Sequence, residues 1–242
     1  MRGFRKEFYF DGESSMDYGL YISGHKTFSS PEMNVEKVSI PGRNGDLFVS
    51  ATSYKNVSYA YDAFIESVTD HTIYERKASE VRSWLMSKIG YRRLEDDYHP
   101  DEFRLAMFKG PVQFSTIYFK AGSTTLTFDC KPQRFLKLGE KTLTYTAGTY
   151  TLLNPTKFTS NPLIEVTGTA GILTVNGKRV QLLETGGIVI DSEVEQAYNG
   201  TTFKNDKIKL LDNVFPTLVP DRNTIVVPSG MTIEITPRWF IL

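Results

Sequence analysis

The sequence is short of several things. Its 242 residues include one cysteine, Cys130, so no intrachain disulfide can form, and no Cys/His cluster offers a tetrahedral zinc site. It has no excess of either charge. The 28 Lys and Arg balance 28 Asp and Glu, without the clustered basic surface that nucleic acid or an anionic membrane recruits. No run of about 18 apolar residues could span a membrane, and the opening Met1-Arg-Gly-Phe-Arg-Lys-Glu7 lacks the apolar stretch of a secretory signal. The expected setting is therefore a soluble protein folded in a reducing cytoplasm.

Catalytic signatures are missing as well. No Gly-x-Ser-x-Gly elbow, Gly-Lys-Ser/Thr phosphate loop or Gly-x-Gly-x-x-Gly turn occurs, which removes the signals of a hydrolase, an NTPase or a dinucleotide enzyme. His99 lies near Asp101 and Glu102, but no third ligand stands at a metal-site spacing, and the segment reads as a polar loop after the charged run Arg92–Asp97. His25 and His71 read as exposed turn residues. Glu165, Glu184 and Asp191 sit on strand-like segments, where an outward carboxylate is ordinarily just solvated. Cys130 has only Lys131 beside it to lower its pKa and reads as a structural thiol. The expectation is a protein that is not an enzyme and needs no cofactor and no metal.

Aromatic residues, by contrast, are plentiful and uneven. Of 31 Phe, Tyr and Trp, 22 fall within residues 1–134 and 9 within 135–242, where Thr, Gly, Val, Ile and Leu take over. Charge is balanced on each side, 18 against 18 and then 10 against 10. Two domains are expected, 1–134 and 135–242, with Cys130–Glu140 as a short linker carrying Pro and Gly punctuation. The aromatic excess has two open destinations: a packed core, or surfaces where rings and arginines anchor protein partners.

Periodicity makes the chain mainly β. Val35–Ile40 and Asp46–Ser50 flank Pro41-Gly-Arg-Asn-Gly45, where the Asn44-Gly45 pair predicts a tight type I′ hairpin. Further strands are expected at 56–61, 105–108, 117–120 and 124–129, the last two separated by Ala-Gly-Ser. One helix is predicted over Arg76–Ile89, with Ala78, Val81, Leu85 and Ile89 in a stripe, Trp84 beside it and Gly90 as the stop. In the second half, Asn176-Gly177 marks another hairpin, and short strands between frequent turns read as a sandwich. The apolar final run Thr232–Leu242 is expected to be packed.

Several stretches, in order, resemble the distal tail protein (Dit) family of siphophages infecting Gram-positive bacteria. They are Phe10-Asp-Gly-Glu-Ser-Ser-Met-Asp-Tyr-Gly-Leu-Tyr-Ile22, Glu36-Lys-Val-Ser-Ile-Pro-Gly-Arg-Asn-Gly-Asp-Leu47, the helix with Val81, Trp84 and Leu85, and, later, Phe158–Gly168, Ile188–Glu193 and Ile235–Trp239. The resemblance covers essentially the whole chain. It implies an N-terminal β-sandwich or split-barrel-like domain with one α-helix and a long hairpin, and a C-terminal galectin-like β-sandwich. It also implies a structural virion protein at the tail tip, made in the bacterial host cytoplasm, whose N-terminal domains form a hexameric ring. The implied partners are other copies of the chain (in one ring or paired rings), the tail tube protein, the tail-associated lysin or tip protein, and receptor-binding proteins in some phages. DNA would pass through the channel without stable binding, and nothing would insert into a membrane. Pro41, Gly42, Arg43, Asn44 and Gly45 are the candidate ring-interface residues. The competing expectation is a carbohydrate-binding module acting in host cell-wall adsorption. Its aromatic candidates come from Tyr145, Tyr150, Tyr198 and Trp239, chiefly Tyr198 and Trp239.

Overall fold

The computed structural model describes residues 6–22, 29–65, 71–117, 121–184 and 186–242. Two compact units emerge, Met1–Arg134 with Leu242, and Phe135–Ile241. His25 and, beyond Ile117, the strand expected over 117–120 lie outside the described residues.

The first unit is a curled sheet with a helix against its inner face. In spatial order its strands are Glu13–Ser14, Phe8–Phe10, Arg92–Asp96, Glu102–Phe108, Ala121–Leu136, Val57–Ile65 and Leu20–Ile22. Lys6, just ahead of Phe8–Phe10, bridges to Ile22 in the last strand, whose N–H donates to the Lys6 carbonyl at 2.9 Å. The sheet thus bends back toward closure as a half-barrel. Strand alternation is regular: Val57, Tyr59, Tyr61, Ala63 and Ile65 are buried while Ser58, Ala60 and Asp62 face out.

The helix spans His71–Ser87, starting five residues before the expected Arg76 and ending short of Ile89. His71 therefore opens a helix and is not a turn residue. Tyr74, Ala78, Val81 and Leu85, at steps of four, three and four, lay one apolar stripe on the core, with Trp84 beside it. Ile89 falls beyond the last turn and is 84% exposed, so it does not belong to the stripe. The reason is Gly90, whose φ of +82° turns the chain away just after it.

The Ala-Gly-Ser at 121–123 is not a turn. It begins one long strand, Ala121–Leu136, with Gly122 opposite Ile65. Gly122 is required there because a Cβ would collide with the Tyr74 ring. The short linker expected over Cys130–Glu140 contains the boundary between the units and is regular in structure. Its residues continue that strand to Leu136 and then form a 3-10 turn, Lys137–Glu140.

The second unit is a sandwich. A six-stranded sheet runs Leu143–Tyr145, Met231–Thr236, Leu163–Gly168, Ile188–Asp191, Gln196–Asn199, Thr202–Phe203, and a five-stranded sheet runs Gly148–Asn154, Asp221–Val227, Gly171–Val175, Lys178–Leu182, Ile208–Leu210. Their inner faces meet in an aliphatic core that includes Ile164, Ile190, Leu173, Val180 and Ile235, all fully buried. Asn176 and Gly177 have φ of +52° and +79° between paired Val175 and Lys178, the left-handed pair that a type I′ turn needs. At the chain end, Phe240 packs on Phe158 at 5.5 Å and on Phe135 at 6.2 Å.

Candidate functional site

The feature that stands apart is an arm. Met33–Val38 and Leu47–Tyr54 form a two-stranded ribbon that pairs with no other described strand. Two register shifts, at Asn34/Val35 and Glu36/Lys37, add local twist. Its tip is not the two-residue I′ turn that Asn44-Gly45 predicts. The Arg43 N–H donates to the Ile40 carbonyl at 3.1 Å, and Gly42 sits at φ +81°, which makes Ile40-Pro41-Gly42-Arg43 a type II turn. Pro41 pre-sets the first corner and Gly42 supplies the left-handed second one. The chain has then already reversed, so Asn44 keeps a negative φ, while Gly45 at +81° leads into the return strand. All five tip residues are exposed.

The arm is apolar as well as unpaired. Met33, Val35, Val38, Leu47, Phe48 and Val49 are all exposed, Phe48 at 59%. An isolated two-stranded ribbon is marginal in water.

Residues singled out for chemistry have structural employment. Asp96, 8% exposed, accepts hydrogen bonds from the Tyr61 hydroxyl (2.7 Å) and the N–H groups of Tyr98 (2.9 Å) and His99 (2.8 Å), and lies 3.2 Å from His99 Nδ1. His99 thus belongs to a capped turn that is half-buried, not simply to a solvated loop. Burial, then the Asp96 charge, raises the Tyr61 hydroxyl well above its ordinary range. Burial pushes the Cys130 thiol up to about 12, which disfavours the thiolate a nucleophile requires. Among the described residues no group of three His, Cys, Asp or Glu side chains could hold a metal ion.

The strand carboxylates differ from one another. Asp191 is 7% exposed and bound by Arg238, at 2.6 Å from Nη1 and 3.1 Å from Nη2, so it is not a solvated strand residue. Burial works to raise its pKa, but the Arg238 guanidinium together with the backbone N–H groups of Glu193 and Val194 holds the carboxyl below its ordinary value. Glu184 pairs with Lys204 at 2.8 Å. Glu165 stands directly opposite Glu234 in the ladder, both exposed.

The aromatic candidates for sugar stacking separate. Trp239 is 3% exposed and packs in the aliphatic core, its carbonyl accepting from Leu136 N–H at 2.8 Å. It has no face to offer a ligand. Tyr198 is half-buried, with its hydroxyl raised by burial and then by Asp191. Tyr145 and Tyr150 pack on each other at 4.6 Å. Sequence reasoning also missed the apolar character of the arm, although its residues are consecutive: Leu47, Phe48 and Val49 break strict alternation, and a strand apolar on both faces was the available signal.

Comparison with known proteins gives three findings. The sequence model of the phage tail protein RIFT-related domain matches residues 10–130. The crystal structure of the Dit protein of phage SPP1, described as a paradigm of the hub adsorption apparatus in phages infecting Gram-positive bacteria, superposes with a TM-score of 0.78 at 16% identity. The match covers 98% of this chain and 99% of that one. No curated protein matches the chain.

Proposed function

The chain belongs to the phage tail protein family defined by its RIFT-related domain, and we propose that it is the distal tail hub of a siphophage, a structural protein of the virion rather than a catalyst. The observation that carries this reading is the agreement of fold with the SPP1 Dit protein over nearly the full length of both chains. In this reading the first unit builds a hexameric ring continuing the tail tube, and the second is a galectin-like sandwich. The ring joins the tube to the lysin or tip protein and, where a phage has them, to receptor-binding proteins.

The arm is the ring-forming element in this proposal. A ring that closes by rotation needs two different complementary patches on each subunit. An unpaired ribbon with exposed Met33, Val35, Leu47 and Phe48 supports one of them, with Pro41, Gly42, Arg43, Asn44 and Gly45 at its tip as the leading contact. The balanced charge of residues 1–134 suits a conduit that DNA traverses without being retained.

Light scattering and negative-stain imaging of the purified protein test the proposal. A ring with a central hole and a mass six times 27.4 kDa, or twice that for paired rings, is the expected outcome. A strict monomer at high concentration, also in the presence of the tail tube protein, overturns it.

A further inference from the structure

Asn is followed by Gly at Asn44-Gly45, Asn176-Gly177 and Asn199-Gly200. An Asn in this position can cyclise, because a glycine has no side chain to hinder the approach of its backbone nitrogen to the carbonyl carbon of the preceding Asn side chain. The dipeptide is the same each time, so any difference in reactivity comes from the fold.

Asn176 is held. Its Nδ2 donates to the Thr217 carbonyl at 3.1 Å and to Asn223 Oδ1 at 2.6 Å, and its Oδ1 accepts from the Thr224 N–H at 2.9 Å. Cyclisation would have to break these contacts and turn the amide out of a half-buried position. Asn199 is exposed but stands in the ladder opposite Thr202, which fixes its backbone as extended strand. Rotating its Cα–C bond to bring the next nitrogen toward the side chain would break that pair. Asn44 escapes both restraints. The ladder of the arm ends at Val38 and Leu47, and the turn hydrogen bond ends at the Arg43 N–H, one residue before it. Asn44 is exposed, and no described residue hydrogen-bonds its amide.

We infer that Asn44 is a site of spontaneous deamidation on the exposed tip of the arm, with water as the co-reactant. The Gly45 nitrogen attacks Asn44 Cγ and gives up its proton. The Cγ–Nδ2 bond breaks, ammonia leaves, and a succinimide closes. Water then opens the succinimide at either carbonyl, giving aspartate or isoaspartate. Overall an amide and water become a carboxylic acid and ammonia, and nothing is oxidised or reduced. The product places a new negative charge between Arg43 and Asp46, and the isoaspartate form routes the backbone through the side chain. The inference does not rest on the hub reading.

Peptide mapping by mass spectrometry, on full-length protein kept in mildly alkaline buffer, tests it, with the same protein in denaturant as the reference. In denaturant the three pairs should react at comparable rates. In the folded protein Asn44 should react at least about tenfold faster than Asn176, which keeps its hydrogen bonds, with Asn199 slower than Asn44. Isoaspartate should be present in the product, and Asn44→Gln should remove the reaction at that position. A parallel sample carrying Phe48→Ser, an exposed change on the arm, separates the chemistry from assembly. Reaction of Asn44 in that sample and not in the parent chain supports the inference and shows the tip covered between copies. Asn44 no faster than Asn176 in both samples, Asn199 faster than Asn44, a product without isoaspartate, or the same order of rates in denaturant as in the folded state overturns it. None of these results needs a ring, so failure here and failure of the hub proposal are distinguishable.

Discussion

The two units solve the same problem with different side chains. The core of the first is built from rings: Phe8 stacks on Tyr61 at 5.1 Å and on Trp84 at 5.6 Å, and Phe10 meets Phe128 edge to face at 5.3 Å. The core of the second is Ile, Val and Leu around Trp239. A sheet curled around a helix leaves an uneven space between curved walls, which large flat groups fill in offset and edge-on packings. Two sheets stacked face to face leave a uniform gap of about 10 Å, which β-branched side chains from alternate positions fill. Of the 22 aromatics of residues 1–134, eight are buried in that core and three more pack against it, while Tyr9, Phe48 and Tyr91 are exposed.

This contrast yields predictions, beginning with the largest effect. Trp84→Ala removes a ring clamped between Phe8 and Tyr18 and should cost the first unit about 3–5 kcal/mol. Calorimetry should show its transition falling while that of the second unit stays in place; a common shift would mean that the units unfold as one. Arg238→Ala leaves Asp191 buried without its cation and should cost the second unit about 2 kcal/mol in denaturant unfolding.

The same pair sets an acid dependence. Because the folded-state pKa of Asp191 is depressed, its stabilisation is fully present above the ordinary carboxylate value and is lost as pH falls through the lowered one. Asp191→Asn should flatten the acid limb of the second unit and leave the first unchanged. Ile190→Val trims one methylene from the aliphatic core and should cost about 1 kcal/mol, well below the ring deletion. Glu234→Lys replaces a like-charge cross-strand pair with an opposite one and should raise stability by about 0.5 kcal/mol, an effect that high salt erases. Phe48→Ser should change subunit stability least, within about 0.5 kcal/mol, yet should abolish ring formation in light scattering if the arm works between copies.

Legibility in the sequence followed how local each interaction is. The helix was readable because Ala78, Val81 and Leu85 repeat at its own period, and its true start was not, because Tyr74 joins the stripe only once Gly122 makes room for its ring. Two Asn-Gly pairs looked alike. Asn176-Gly177 turns as the pair predicts, while Asn44-Gly45 does not, because Pro41-Gly42 completes the reversal first. Trp239 read as a surface ring, since nothing near it in sequence announces the Leu136 backbone that holds it inside. Asp191 read as a solvated strand carboxylate for the same reason: the Arg238 that binds it is distant in sequence.

By itself, then, the sequence determined the β-rich character, the alternation of the strands, the helix and the absence of any charge excess. These depend on residues near one another along the chain, where steric preference and periodicity act. Only the tertiary structure decided that Phe8, Phe10, Trp84 and Phe128 pack together, that one ribbon pairs with no other described strand, and that Asp191 is buried against Arg238. Those outcomes depend on which distant segments share a space, and burial and partnering have no meaning until they do.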